Sequence, residues 1–156
     1  ARQASDLLGG TKMDRPEWLA IDPHSGWVYC TLTNNSRRGV DGNPGVDAAN
    51  PRANNTMGHI IRWKDDGDFD GETMQWNHLV LAGDPQLPRA EAKGNVKGDF
   101  FACPDGLAFD PAGRLWICTD IGPTAHWQNE IHPTRTGYRL LGDRWEKVLE
   151  QLFCGP

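Results

Sequence analysis

Two short stretches of the chain place a carboxylate among the same neighbours. The first reads RPEWLAIDP around Glu17, and the second reads CPDGLAFDP around Asp105, 88 residues later. Carboxylates at equivalent positions of an internal repeat could bind a hard cation such as Ca²⁺, which prefers oxygen ligands. Both residues could instead cap turns or hold backbone amides, and the pattern leaves the two interpretations open.

Each stretch opens a predicted β-hairpin. Apolar runs at 19–21 and 107–109 indicate short buried strands, and Asp-Pro-x-Gly-type turns follow them. Residues 27–33 and 115–119, rich in β-branched and aromatic side chains, return as second strands. Glu17 and Asp105 are then expected just before the first strand of each unit.

Further strands complete two repeated units. Residues 58–63 and 73–82 predict another hairpin across a polar turn at 65–72. Residues 137–141 and 145–153 play these parts in the second unit, although 145–153 fits a short helix equally well. Four antiparallel strands per unit are typical of a β-propeller blade. The sequence predicts an all-β fold, an incomplete propeller over residues 1–156 with blade-like repeats at about 15–82 and 103–153.

Three long loops are expected on one face of this propeller, at 34–57, 83–102 and 121–136. Loops of this length inside a compact domain are usually functional. Glu17 and Asp105 would point into the same central mouth. Asn34, Asn35 and Asp120, at the ends of second strands, are expected on the same rim.

The composition excludes some partners. The net charge is −5, and no basic run is longer than Arg37-Arg38, which argues against nucleic-acid and anionic-membrane partners. No apolar stretch is long enough to cross a bilayer. The four cysteines lack CxxC spacing, so they are interpreted as small buried side chains rather than as a zinc site or a disulfide framework.

Some residues suggest chemistry but are better explained by structure. Residues 66–71 imitate an EF-hand loop, but a polar hairpin turn is favoured because no helices flank them and position twelve is Asn77. His59 opens a strand near the loops, and a hydrogen-bonded structural role is favoured over contact with a substrate. Four tryptophans within strand patterns are expected to pack the blades: Trp18, Trp63, Trp76 and Trp116.

The longer motifs closely resemble a known family. They are TKMDRPEWLAIDPHSGWVYCTLTNNSRRG, DAANPRANNTMGHIIRW, VLAGDP and CPDGLAFDPAGRLWICTD, in this order. Together they resemble the bacterial PhoX-type alkaline phosphatases. The resemblance implies a six-bladed propeller, exported to the periplasm or the outside of the cell. It also implies hydrolysis of phosphate monoesters with Ca²⁺ and Fe³⁺ as cofactors.

The resemblance also implies residue roles. The family's Arg-Pro-Glu motif falls on Arg15, as active-site and phosphate-binding arginine, and on Glu17, as metal ligand. Its Pro-Asp-Gly aspartate falls on Asp105, also a metal ligand. Asp120 is a further candidate metal ligand, and Asn34 and Asn35 are candidate substrate ligands. Three loop arginines are expected to be solvated or paired with loop carboxylates, with substrate contact by one of them as the alternative: Arg37, Arg38 and Arg52.

Two blades cannot close a ring, so we expect an internal piece of a longer enzyme, with little activity by itself. The remaining blades of the same polypeptide would supply further ligands. Two other functions stay open: a calcium-dependent propeller hydrolase of the lactonase or organophosphatase type, and a non-catalytic propeller that binds proteins through its loops.

Overall fold

A computed structural model of the chain describes residues 2–67 and 70–120. The chain divides into two compact parts, Ala1–Thr119 and Asp120–Pro156, which differ from the two repeated units, and Asp120 is the one described residue of the second part. The described elements are α1 (Arg2–Leu7), β1 (Pro16–Ile21), β2 (Val28–Leu32), β3 (His59–Asp65), β4 (Met74–Leu81), β5 (Pro104–Phe109) and β6 (Leu115–Thr119). The helix α1 was not predicted. Within the described ranges, no helix has the length and apolar character to cross a membrane.

The strands form the predicted antiparallel hairpins. One sheet has the order β1-β2-β3-β4, with every neighbour antiparallel, and β5 pairs with β6 in a second sheet. The first unit is therefore a complete four-stranded meander, and the second repeats its opening hairpin. The all-β prediction is confirmed, whereas the strands predicted at 137–141 and 145–153 and the loop at 121–136 lie outside the described residues.

The repeated Asp-Pro turns have the same construction in both units. Gly26 and Gly113 close them with positive φ angles of 72° and 79°, a region in which glycine carries no Cβ penalty. The opening aspartates accept hydrogen bonds within the turn. The Ser25 hydroxyl and the His24 amide lower the pKa of Asp22, and the pKa of Asp110 falls to about 2, chiefly through the Arg114 backbone amide.

The four-stranded sheet has an apolar cluster on each face. On one face, Tyr29 and Ile60 pack against Leu107 of the second sheet, and partly buried side chains from both sheets surround them. On the other face, Leu32 and Ile61 form a smaller cluster with Met13. Because alternate residues of a strand face opposite sides, β2 contributes to both clusters.

Several expectations about burial were wrong. Leu19 and Ile21 of β1 were predicted to be buried, yet they are 60% and 58% exposed. Trp18, Trp76 and Trp116 are also largely exposed, and only Trp63 of the four tryptophans packs against an apolar cluster. A strand pattern predicts which residues share a face, but not whether another element covers that face.

The turn that imitates an EF-hand loop joins β3 to β4. Asp65 pairs with Met74 across these antiparallel strands, and Thr73 donates a hydrogen bond to Asp66. The described residues on both sides of 68–69 agree with the interpretation as a polar hairpin turn.

The two described loops, 34–57 and 83–102, start and end close to one another. Three backbone hydrogen bonds connect their ends. The Thr33 amide donates to the Arg15 carbonyl, the Ala82 amide to the Gly58 carbonyl, and the Cys103 amide to the Met57 carbonyl. Arg52 joins the two described loops because its guanidinium donates to the carbonyls of Ala82 and Lys93 at 2.8 and 3.1 Å. The entry to β1, the entry to β5 and both loops therefore lie close together.

Candidate active site

The residues before β1 and β5 share an unusual backbone conformation. Arg15 and Cys103, 88 positions apart, have φ angles of 46° and 49° although neither is glycine. A side chain in this left-handed region costs about 1–2 kcal/mol, and such residues cluster at functional sites. The same strained conformation therefore directly precedes two motifs, Pro16-Glu17 and Pro104-Asp105.

Both motifs also contain a β-bulge. Between Pro16 and Leu19, β1 advances three residues while β2 advances two, from Leu32 to Cys30. The same irregularity occurs between Pro104 and Leu107 on β5. Glu17 and Asp105 lie inside these bulges, so the expectation that they precede the strands was wrong by a residue or two. A bulge re-aims side chains and is common next to active sites, which suits both carboxylates to a functional role.

Arg15 lies beside Glu17 at the edge of the fold. One terminal nitrogen of its guanidinium donates to Asn34 Oδ1 at 3.0 Å, and the other lies 3.5 Å from a Glu17 carboxylate oxygen. The side chains of Arg15 and Glu17 are 51% and 37% exposed. An ion pair this exposed adds little stability, and it leaves guanidinium N–H groups open to an incoming anion.

Asn34 connects the two motifs. Its amide nitrogen lies 3.5 Å from Cys103 Sγ, and that thiol in turn donates to the Thr56 carbonyl at 3.4 Å. The structure therefore brings together Arg15, Glu17, Asn34 and Cys103. Cys103 was missed as a site residue, and its offset of 88 from Arg15 was the signal that could have indicated it.

Asn35 belongs to a different group of side chains. Its amide donates to Asp14 Oδ1 at 2.9 Å, and its side-chain oxygen accepts from the Arg37 amide. Asp14 is completely buried and also accepts from Arg38 at 2.8 Å and from Asn55 at 3.0 Å. Since Asn35 has these structural partners, its role as a substrate ligand stays a prediction.

The three loop arginines differ in environment. Arg38 is 1% exposed and pairs with Asp14 at 2.8 Å and with Asp47, the predicted kind of loop carboxylate, at 3.5 Å. Arg52 is also buried, but it binds backbone carbonyls rather than a carboxylate, and burial lowers its pKa. Arg37 is exposed. Two of the three arginines therefore stabilise the loops from within.

His59 has the structural role that was favoured. Its Nε2 lies 2.8 Å from the Ala49 carbonyl and its Nδ1 lies 3.1 Å from the Asn55 amide, so the neutral Nε2–H tautomer satisfies both contacts. Burial lowers its pKa to about 4, and the Ala49 carbonyl opposes this shift. The charge of Asp14 raises the pKa of His59, and those of Arg52 and His78 lower it.

This pKa predicts a loss of stability in weak acid. An unfolded histidine takes up a proton near pH 6.5, whereas folded His59 resists protonation down to about pH 4. Its contribution is therefore complete above pH 6.5 and falls by about 3 kcal/mol as the pH drops to about 4. Denaturant unfolding at pH 7 and pH 4.5 should show a larger loss in the wild type than in His59→Gln. Equal losses would contradict the buried, neutral imidazole.

Cysteine environments depart in part from the prediction. Cys30 is buried, and burial raises the pKa of its thiol to about 11. Cys103 is half-buried at the site and Cys118 is exposed, so small buried side chains describe only one of the three described cysteines, all of which are free thiols.

The described residues do not form a complete metal site by themselves. Among residues 2–67 and 70–120, no group of three or more His, Cys, Asp or Glu side chains is arranged to hold a metal ion. Glu17 and Asp105 nevertheless offer carboxylate oxygens, the donors that Ca²⁺ and Fe³⁺ accept, from equivalent bulges. Asp120 directly follows β6 and is half-exposed, and its role as a ligand stays a prediction.

Comparison with known proteins shows the family of the chain. A family model described as alkaline phosphatase PhoX matches residues 1–140. No curated protein matches the chain significantly. A solved structure, Pseudomonas fluorescens PhoX in complex with vanadate, a transition state analogue, is 43% identical with a TM-score of 0.71. The match covers 84% of this chain and 23% of that chain. With strands in the antiparallel arrangement of propeller blades and a family match over most of its length, the chain belongs to the PhoX family of alkaline phosphatases.

Proposed function

We propose that this chain contributes the phosphate-binding part of a metal-dependent phosphatase that hydrolyses phosphate monoesters. The observation that carries the proposal is the grouping of Arg15, Glu17 and Asn34 beside two equivalent bulges, in a chain of the PhoX family. Membership of the PhoX family supports phosphatase chemistry. The cluster of Arg15, Glu17 and Asn34 supports a phosphate-binding site within this chain.

Arg15 is the phosphate-binding residue in this proposal. A guanidinium presents five N–H donors in a planar fork, which matches two oxygens of a phosphoryl group. The bond to Asn34 at 3.0 Å holds one arm of the fork, and the 51% exposure of the Arg15 side chain leaves the rest reachable. Arg15 would hold the phosphoryl group against the carboxylate side of the site and stabilise its negative charge as the ester bond breaks.

Glu17, Asp105 and Asp120 would hold the metal ions, which we propose to be Ca²⁺ and Fe³⁺. Such ions, when bound, neutralise charge on the phosphoryl oxygens and activate an oxygen nucleophile. Glu17 lies within 3.5 Å of the Arg15 guanidinium, so the metal-binding and phosphate-binding groups would be adjacent. The Glu17 carboxylate thereby keeps Arg15 directed toward the bound substrate.

We further propose that the chain acts as part of a longer polypeptide. It spans 23% of the matched PhoX chain, and remaining blades would supply the other ligands. The enzyme would work in the periplasm or outside the cell. These points rest on family membership and on the incomplete ligand set among residues 2–67 and 70–120.

The test uses the protein expressed from its complete gene. We expect hydrolysis of p-nitrophenyl phosphate, much slower hydrolysis of bis-p-nitrophenyl phosphate, competitive inhibition by vanadate, and loss of activity with a chelator. Elemental analysis should find both calcium and iron. Arg15→Ala should lose vanadate inhibition. Calcium without iron, together with lactonase or phosphotriesterase activity, would replace the proposal with the calcium-dependent hydrolase. An inactive, metal-free protein would favour a binding scaffold.

A further inference from the structure

Thr31 lies between the two bulges that carry Glu17 and Asp105. It belongs to β2 and is completely buried. Its hydroxyl accepts a hydrogen bond from the Trp18 amide at 3.0 Å and donates one to the Asp105 carbonyl at 2.7 Å. One hydroxyl has one donor and two acceptor positions, so both bonds form at the same time.

These two bonds reach backbone groups that set carboxylate positions. Trp18 directly follows Glu17 within the β1 bulge, and the Asp105 carbonyl belongs to the second carboxylate residue itself. β1 and β5 lie in different sheets, so no strand ladder fixes the distance between them. The buried Thr31 hydroxyl therefore links the backbone next to Glu17 with the backbone of Asp105.

A neighbouring residue shows that this link is distinct from general packing. Thr33 is also completely buried, and its hydroxyl donates to the Pro104 carbonyl at 2.9 Å. Its hydroxyl therefore ties β5 to the same loop edge, while the contact with the β1 bulge is made by Thr31. Valine at either position keeps the shape and removes the hydroxyl, which makes Thr33→Val a matched control.

We propose that Thr31 is a positioning residue that sets the spacing of the Glu17 and Asp105 carboxylates and thereby the affinity of the site for Ca²⁺. The inference rests on the proposed function, in which both carboxylates bind the cation. Groups that orient metal ligands typically change metal affinity 10- to 100-fold when they are removed. Thr31 would act through the backbone of its two partners and would not touch the substrate.

The test measures calcium affinity by titrating CaCl₂ into metal-depleted protein expressed from the complete gene, with calorimetric detection. Thr31→Val should raise the Kd for Ca²⁺ at least tenfold, whereas Thr31→Ser should stay within threefold of the wild type. Thr33→Val should also stay within threefold. With saturating calcium, Thr31→Val should lower kcat for p-nitrophenyl phosphate more than it changes KM. Equal Kd values for Thr31→Val and Thr33→Val would overturn the assignment.

A third variant covers the case in which valine prevents folding. Thr31→Cys introduces the residue found at the equivalent position of the second unit, Cys118, and a thiol bonds more weakly than a hydroxyl. Its Kd should rise measurably, and a wild-type Kd would also overturn the assignment. A wild type that neither binds Ca²⁺ nor hydrolyses phosphate esters would instead refute the proposed function. An active, calcium-binding wild type with insensitive Thr31 variants would refute the inference alone.

Discussion

Replacing Glu17 by glutamine is expected to lower kcat/KM for p-nitrophenyl phosphate by at least about 100-fold, equivalent to roughly 3 kcal/mol of transition-state stabilisation. Glutamine keeps the size of the side chain and removes its charge. It would therefore weaken a metal ligand and also remove the anionic partner that lies 3.5 Å from Arg15. The measurement is steady-state kinetics of the protein expressed from its complete gene, with the bound metals quantified in the same samples.

A carboxylate outside the site provides the control. Glu91 lies on the 83–102 loop and pairs at 3.7 Å with Arg89, whose side chain is 64% exposed, while that of Glu91 is 27% exposed. Glu91→Gln should leave both kcat/KM and metal content within about twofold of the wild type, as expected for an exposed ion pair. If Glu17→Gln and Glu91→Gln behave alike, Glu17 is not a metal ligand, and Glu17 and Asp105 have only a structural role.

Local rules predicted the strands and turns of this protein well. The Asp-Pro turns require glycine at Gly26 and Gly113, both with positive φ, and the sequence places glycine at both positions. The strands on both sides of each turn are rich in β-branched and aromatic residues, and a single turn is enough to pair them as a hairpin. Such features depend on neighbours along the chain, so the printed sequence contains what is needed to infer them.

The site could be predicted only in outline. The repeat and the family resemblance indicated Arg15 and Glu17, which the structure brings together. Neither bulge was foreseen, because no residue type requires one and the register depends on the facing strand. The contact from Asn34 to Cys103 spans 69 residues, and the bond from Thr31 to Asp105 spans 74. Contacts between sheets of this kind depend on packing that a local pattern does not contain.

The contacts of Asp14 are also distant in sequence and could not be predicted from a local pattern. Replacing Asp14 is expected to cause a large loss of stability. Asp14→Ala should lower the free energy of unfolding by about 3–5 kcal/mol, because the buried charge of Arg38 would lose its closest carboxylate and keep only Asp47, 3.5 Å away. Asp14 is completely buried and lies 2.8 Å from Arg38 Nε, and it also accepts from Asn35 and Asn55. Denaturant unfolding monitored by tryptophan fluorescence measures the change.

An exposed pair and a double variant separate the buried charge from other effects. Asp6 pairs with Lys12 at 3.2 Å with both side chains 63% exposed, so Asp6→Ala should cost less than about 1 kcal/mol. Adding Arg38→Met to Asp14→Ala should restore part of the lost stability, since the uncompensated charge is then gone. If the double variant is less stable than Asp14→Ala, the main role of Arg38 is its bonds to the Lys12 and Gly45 carbonyls, which tie the 34–57 loop to the segment leading into Arg15.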